Sequence, residues 1–113
     1  MAIEVEIVEE LYEEIEEKFG GKADEVFSLI KSLEQSPNKG KLLGNIGGIL
    51  IKELRYKSFR IYFVIDGFKL RIFNGNALNN LLIKFVKMSN KKEQQKSIEE
   101  IKKILRNLGE EGF

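Results

Sequence analysis

The residues best suited to chemistry in this chain are charged side chains on two adjoining predicted strands. If a tight turn at residues 57–58 joins the two strands, Arg55 lies opposite Arg60 and Glu53 lies opposite Tyr62. Like charges that face each other directly destabilise a sheet, so the two arginines require an anion between them. That anion is either Glu53 or a bound phosphate, whose oxygens guanidinium groups hold in bidentate fashion.

The strands that carry these groups are predicted by alternating apolar and polar residues from Ile49 to Phe73. Four apolar residues share one face of the middle strand: Phe59, Ile61, Phe63 and Ile65. Asp66-Gly67 predicts a two-residue hairpin turn, and the register that follows places Arg71 opposite Tyr62. The other face of the three strands therefore carries the charged groups, and we expect it to be exposed to solvent.

Composition limits the kinds of site that the chain can form. The 113 residues include no Cys and no His. The lack of Cys excludes disulfides and thiolate nucleophiles, and the lack of His removes the usual general base and the commonest metal ligand. We therefore expect neither a metal nor a cofactor.

Length and hydropathy predict a single domain over residues 1–113 that does not enter a membrane. One modest core suits a chain of this length, and no apolar run reaches the ~20 residues that span a bilayer. The N-terminus has no basic segment followed by an apolar one, so we expect a cytoplasmic protein without a signal peptide. Abundant Lys, Glu and Ile are typical of a thermophile.

Charge is divided unevenly along the chain. Residues 1–36 carry a net charge of −8, from three basic and eleven acidic residues, whereas residues 37–92 carry +10, from twelve basic and two acidic residues. Such a split predicts a dipolar surface whose positive side binds nucleic acid or an acidic partner. The alternative is that the acidic part is a solvated helix face with no further role.

Periodicity predicts the order β-α-α-β-β-β-β-α, an α+β fold with an antiparallel twisted sheet. An N-terminal helical hairpin is expected to cover one face of the sheet, and a C-terminal helix follows the last strand. The flanking elements and connections are a strand over Ile3–Ile7, a helix from Val8 to Phe19, a helix stopped by Ser36-Pro37, a loop over Pro37–Gly48, a strand over Leu81–Met88, and a last helix with Ser89 as N-cap and Gly109 as stop.

Three short motifs stand in order on these elements: Glu53-Leu54-Arg55, Phe59-Arg60-Ile61-Tyr62 and Phe85-Val86-Lys87. Together with the β-α-α start, they resemble the RelE/ParE toxin superfamily, and the Phe-x-Lys motif before a C-terminal helix is similar to its HigB-like branch. The resemblance covers nearly the whole chain, because the motifs and the element order span it from end to end. It implies a RelE-like fold.

The resemblance also implies an activity, partners and site residues. Most RelE- and HigB-like members are toxins of toxin–antitoxin pairs that cut mRNA in the ribosomal A site, and the attacking group is the 2′-hydroxyl of the RNA. The expected partners are thus a cognate antitoxin, mRNA and the ribosome. The implied catalytic residues are Arg55, Arg60 and Lys87, and the supporting RNA-binding residues are Lys52, Arg71 and Lys84.

Three positions depart from the pattern of the family. Ile83 stands near the place of a His in many HigB-like proteins, Met88 replaces a second Lys, and Phe113 stands where RelE-type enzymes often end in Tyr. Two other functions therefore stay open: a catalytically silent RelE-fold protein that binds RNA or an antitoxin, and a ParE-like gyrase inhibitor. The Phe-x-Lys motif favours the RNA-cleaving branch over the gyrase inhibitor.

Overall fold

Residues 3–73 and 80–108 are described by the computed structural model, except for the side chains at 71–73 and 108. The described elements comprise five strands and four α-helices. In chain order they are β1 (Ile3–Ile7), α1 (Glu9–Phe19), α2 (Ala23–Lys31), β2 (Lys41–Ile46), β3 (Ile49–Tyr56), β4 (Phe59–Asp66), α3 (Gly67–Phe73), β5 (Leu81–Asn90) and α4 (Gln94–Leu108). None of the helices in these ranges is both long and apolar enough to cross a bilayer.

The strands form one mixed sheet in the order β1-β5-β4-β3-β2. The predicted α+β class is confirmed, but the prediction of a wholly antiparallel sheet is wrong, because β1 runs parallel to β5. Parallel neighbours need a long connection between them, and here that connection is most of the chain. Alternation along a strand predicts its two faces but carries no information about which distant strand lies beside it.

The predicted register of the two charged strands is confirmed. Arg55 lies opposite Arg60, and Glu53 lies opposite Tyr62. The turn that joins the strands places Lys57 at a φ of 55°, a left-handed conformation that is uncommon for residues other than Gly. A hairpin can therefore form here without the Gly or Asn that usually marks one.

Two predictions for the residues around these strands are wrong. The chain after Asp66 forms helix α3 instead of a hairpin strand, and the carboxylate of Asp66 accepts a hydrogen bond from the backbone N–H of Lys69 at 3.0 Å. An Asp before a helix caps it as readily as it begins a turn. The predicted loop over Pro37–Gly48 contains β2, whose alternation is interrupted by a bulge between Leu42 and Gly44.

The last strand ends two residues later than predicted, and a short turn separates it from the last helix. Strand β5 continues through Asn90, and the Asn90 side chain accepts a hydrogen bond from the backbone N–H of Glu93 at 2.9 Å. Asn90 therefore replaces Ser89 as the cap. A short 3₁₀ turn, Lys91–Glu93, leads into α4. The predicted stop at Gly109 lies outside the described residues.

Helices cover the sheet on both sides. On the first face, α1 and α2 pack against the apolar side chains of β4 and β5, among them Ile61, Phe63 and Phe85. On the second face, which carries Glu53 and Tyr62, α4 packs through Ile98, Ile101 and Leu105 against Ile51, Tyr62 and Val64. The expectation that the second face is open to solvent is therefore wrong, because the C-terminal helix buries much of it.

Candidate functional site

A buried carboxylate lies at the centre of the charged end of the second face. Glu53 is 2% exposed, and its Oε1 accepts a hydrogen bond of 2.6 Å from Nε2 of Gln94, the first residue of α4. Its Oε2 lies 3.7 Å from Nε of Arg55 and 3.8 Å from Nε of Arg60. Of the two anions expected from the sequence, Glu53 thus occupies the position between the arginines. Glu53, Arg55 and Arg60 are called the arginine cluster below.

The two arginines of this cluster differ sharply in exposure. The side chain of Arg55 is 59% exposed, whereas that of Arg60 is 6% exposed. Arg60 donates from Nη1 to the carbonyl of Ser58 at 3.4 Å, while its Nε and the Oε2 of Glu53 have no hydrogen-bond partner among the described residues. Arg55 is therefore the guanidinium that a ligand can reach, and Arg60 is a buried ion that helps to hold it.

Tyr62 on β4 and Ser89 on β5 lie next to the arginine cluster. The two hydroxyls are 2.7 Å apart, and Ser89 Oγ also donates to the carbonyl of Asn90 at 2.9 Å. Ser89 has one hydroxyl proton, so the Tyr62 hydroxyl is the donor in the first bond. Burial raises the pKa of Tyr62 above its ordinary value. At neutral pH this hydroxyl therefore stays protonated, which excludes it as a general base.

The two lysines predicted on β5 both lie on the second face and have acidic partners. Lys87 is opposite Tyr62 in the sheet, and its Nζ lies 3.1 Å from Oε2 of Glu100 on α4. Lys84 is opposite Val64, and its Nζ lies 3.9 Å from Oε1 of Glu6 on β1. Lys87 therefore borders the arginine cluster, whereas Lys84 lies further along the sheet.

The remaining two predicted RNA-binding residues are not part of this cluster. Lys52 is on the first face and 6% exposed; its Nζ donates to the carbonyl of Asn38 at 2.9 Å and lies 6.0 Å from the centroid of the Phe63 ring. Burial lowers the pKa of Lys52. Arg71 does not lie opposite Tyr62 as predicted, because its backbone belongs to α3, and its side chain lies outside the described residues.

Two further residues join the site in the folded chain. Lys41 of β2 is the direct neighbour of Glu53 across the ladder and is therefore on the same face. Gln94 reaches Glu53 from α4. The loop prediction missed Lys41 because a bulge between Leu42 and Gly44 interrupts the alternation that would have marked β2 as a strand. For Gln94 the sequence carries no signal, since its contact depends on how α4 docks onto the sheet.

A cleft of about 360 Å³ opens beside the cluster, where β5 extends past the end of β1. It is lined by Lys87 and Ser89 from β5, by Lys18 from α1 and by Lys96 and Glu100 from α4. Within residues 3–73 and 80–108, no three acidic side chains come together as a metal site would require. Among the described residues, the charged side chains of this lining are three lysines and three glutamates: Lys18, Lys87, Lys96, Glu14, Glu93 and Glu100. The cleft therefore offers a ligand ammonium groups that have carboxylates beside them.

Comparisons of this chain with protein-family models, with curated proteins and with solved structures find no match. Membership of the RelE/ParE superfamily thus stays a prediction. It rests on the three motifs and on the element order around them.

Proposed function

We propose that this protein is the toxin of a toxin–antitoxin pair and cuts mRNA on the ribosome, in the cytoplasm. One observation carries the proposal: two arginines on neighbouring strands share one buried carboxylate. A single carboxylate balances one guanidinium, which leaves one positive charge, and the exposed Arg55 presents it to solvent. A fixed guanidinium of this kind suits a phosphate group of RNA.

The cluster supports the phosphate chemistry of RNA self-cleavage. The 2′-oxygen of the ribose attacks the adjacent phosphorus, the P–O5′ bond breaks, the 2′-hydroxyl loses its proton and the departing 5′-oxygen gains one. Negative charge grows on the phosphate oxygens during this step, and a preorganised cation lowers the barrier. Arg55 is the residue placed to contact those oxygens, while Glu53 and Arg60 hold it in position.

Lys87 is the second cation proposed to act on the substrate. It lies beside Tyr62 and is half-buried, and its partner Glu100 belongs to α4 rather than to the sheet. An ion pair between partly exposed side chains is weak, so a phosphate can replace Glu100 as the partner of Lys87. Arg71 and Lys84 are proposed as outlying RNA contacts.

A second function, binding of RNA or of an antitoxin without cleavage, is favoured by the absence of a visible base. The described residues include no His, and Tyr62 is held protonated and hydrogen-bonded to Ser89. General acid–base groups contribute about 10²–10⁴-fold to a rate, so a site without them is slow or silent. In either function an antitoxin segment with acidic side chains would cover Arg55, because complementary charge speeds association.

Cleavage of mRNA on programmed ribosomes distinguishes the two functions. We expect the wild type to cut, and Arg55→Ala to cut about 10²–10³-fold more slowly with an unchanged melting temperature. Lys69→Ala, which removes an exposed lysine of α3, the helix that follows β4, is the matched control and should cut at the wild-type rate. A wild type that binds ribosomes and cuts nothing would establish the silent function, and poisoning of gyrase would contradict both.

A further inference from the structure

Lys41 is an exposed cation placed against the arginine cluster by the edge of the sheet. Strand β2 is an edge strand, and Lys41 lies directly opposite Glu53. Among the described residues, its Nζ forms no hydrogen bond and no ion pair within 4.0 Å. The ammonium group is thus free to bind a ligand that approaches over β2.

Charge around Glu53 is not balanced. Lys41, Arg55 and Arg60 share one face of the sheet with a single carboxylate, Glu53, which is already hydrogen-bonded to Gln94. The pair of Glu53 and Arg60 is buried and neutral as a unit. Two positive charges are therefore left, and both belong to the exposed members of the group, Lys41 and Arg55.

The sheet places these two cations at a spacing that suits one phosphate or two successive ones. Lys41 is opposite Glu53, and Arg55 is two residues further along β3, so the pair is diagonal across the ladder. Diagonal neighbours of this kind lie roughly 7–8 Å apart, within reach of long side chains. Both side chains are on the second face, so they can hold the same strand of RNA.

The exposed apolar side chains lie away from the pair, which favours RNA over a protein partner with an apolar interface. Large exposed apolar side chains among the described residues are Tyr12, Leu42, Phe68 and Ile104. Leu42 lies opposite Lys52 and hence on the first face. Ile104 is ten residues along α4 from Gln94, about 15 Å at the helical rise. A protein interface has an apolar core, whereas phosphate binding needs only cations.

We infer that Lys41 and Arg55 form a clamp for the phosphodiester backbone of single-stranded RNA, with buried Glu53 and Arg60 as its base. The inference rests on the proposed function in taking RNA as the ligand. It adds a phosphate-binding residue on β2 and an entry path for RNA over the edge of the sheet, next to the position proposed for cleavage.

Binding of a labelled single-stranded RNA at a series of salt concentrations tests the clamp. Each cation lost from a phosphate contact should reduce the slope of log K against log salt by about 0.7. We expect this decrease for Lys41→Ala and for Arg55→Ala, and about twice the decrease for the double variant. Lys69→Ala is the control with an equal loss of charge, and its slope should match that of the wild type. Thermal melting confirms that each variant is folded.

The same variants separate the clamp from the proposed activity. If Lys41→Ala keeps the wild-type slope while the wild type cuts mRNA, the clamp is refuted and the activity stands. If the slopes fall as expected and the wild type cuts nothing, the activity is refuted and the clamp stands. A poly-glutamate peptide that loses affinity in both variants, with RNA slopes unchanged, would show that the pair binds an acidic protein segment, which overturns the inference.

Discussion

The two faces of the sheet each bury a cation, and they do so in different ways. On the first face, Lys52 is covered by a neutral carbonyl and an aromatic ring, and burial lowers its pKa. On the second face, Arg60 is buried against the carboxylate of Glu53. An ammonium can release its proton to escape the cost of burial, whereas a guanidinium cannot. The arginine therefore needs a fixed anion, and that anion also holds Arg55.

The difference between the faces follows from the helices that cover them. Helices α1 and α2 close the first face with a continuous apolar layer, whereas the apolar side chains of α4 start at Ile98, four residues after Gln94. The polar first turn of α4 lies over the charged end of the second face and contacts it by a hydrogen bond from Gln94. The charged end of the second face is therefore the part of the sheet where a helix presents polar side chains to the charged groups.

The largest effect is expected from breaking the buried pair on the second face. Arg60→Met should lower the free energy of unfolding by about 3–5 kcal/mol, because it leaves Glu53 buried beside only the exposed Arg55. Glu53→Leu should cost a similar amount by leaving Arg60 without its anion. The double variant should regain most of the loss, because an apolar pair of similar volume carries no uncompensated charge.

Urea unfolding of the wild type, both single variants and the double variant gives the four free energies of unfolding that this double-mutant cycle needs. Arg55→Met is the control for an exposed arginine and should change the free energy of unfolding little. If the loss in the double variant equals the sum of the two single losses, Glu53 and Arg60 do not stabilise each other. Arg60 would then not need a fixed anion, and the contrast with Lys52 on the first face would be wrong.

A smaller effect is expected at the hydrogen bond between Tyr62 and Ser89. Tyr62→Phe should lower the free energy of unfolding by about 1 kcal/mol, since the partly buried Ser89 hydroxyl loses its donor. Tyr56→Phe is the matched control: its hydroxyl donates to Glu25 at 3.2 Å on the surface, so its loss should cost close to nothing. Equal effects for the two tyrosines, measured by thermal melting, would show that the partly buried bond contributes no more to stability than the exposed one.

Breaking the ion pair between Lys87 and Glu100 should affect the free energy of unfolding less than it affects the affinity for RNA. Both side chains are partly exposed, so Glu100→Gln should change the free energy of unfolding by less than about 1 kcal/mol. The same change frees Lys87 and should tighten binding of single-stranded RNA. Glu99→Gln, one residue along α4, is the control for the loss of one acidic charge. Equal gains in RNA affinity for both variants would show that only net charge matters and that Lys87 is not a ligand.

Replacing Lys52 should have the smallest effect on the free energy of unfolding at neutral pH, and this effect should change at alkaline pH. Burial lowers its folded-state pKa below the ordinary 10.5. Between the two values the unfolded chain keeps a proton that the folded chain has released, so the contribution of Lys52 to stability rises with pH. The free energy of unfolding of the wild type, measured relative to Lys52→Met, should therefore increase as pH approaches 10.5. A difference that is flat or falls would show that Lys52 is not desolvated.

Local patterns in the sequence were sufficient to determine the elements of the charged region and their register. Alternation placed Glu53, Arg55 and Arg60 on one face, and the short turn fixed Arg55 opposite Arg60. Helical periodicity likewise determined α1, α2 and α4. These features depend on residues near one another in the chain, which is why they could be predicted. The same patterns failed at Asp66-Gly67, which suits both a turn and a helix cap, and in β2, where a bulge interrupts the alternation.

Only the tertiary structure decided which of the charged residues are buried. Arg60 and Arg55 have the same residue type and are neighbours on one face, yet the fold buries Arg60 and leaves Arg55 exposed. The hydrogen bond from Gln94 to Glu53 joins residues 41 positions apart, and Lys41 reaches the site by pairing across the sheet. Burial and pairing of this kind depend on contacts between distant segments, for which local periodicity carries no information.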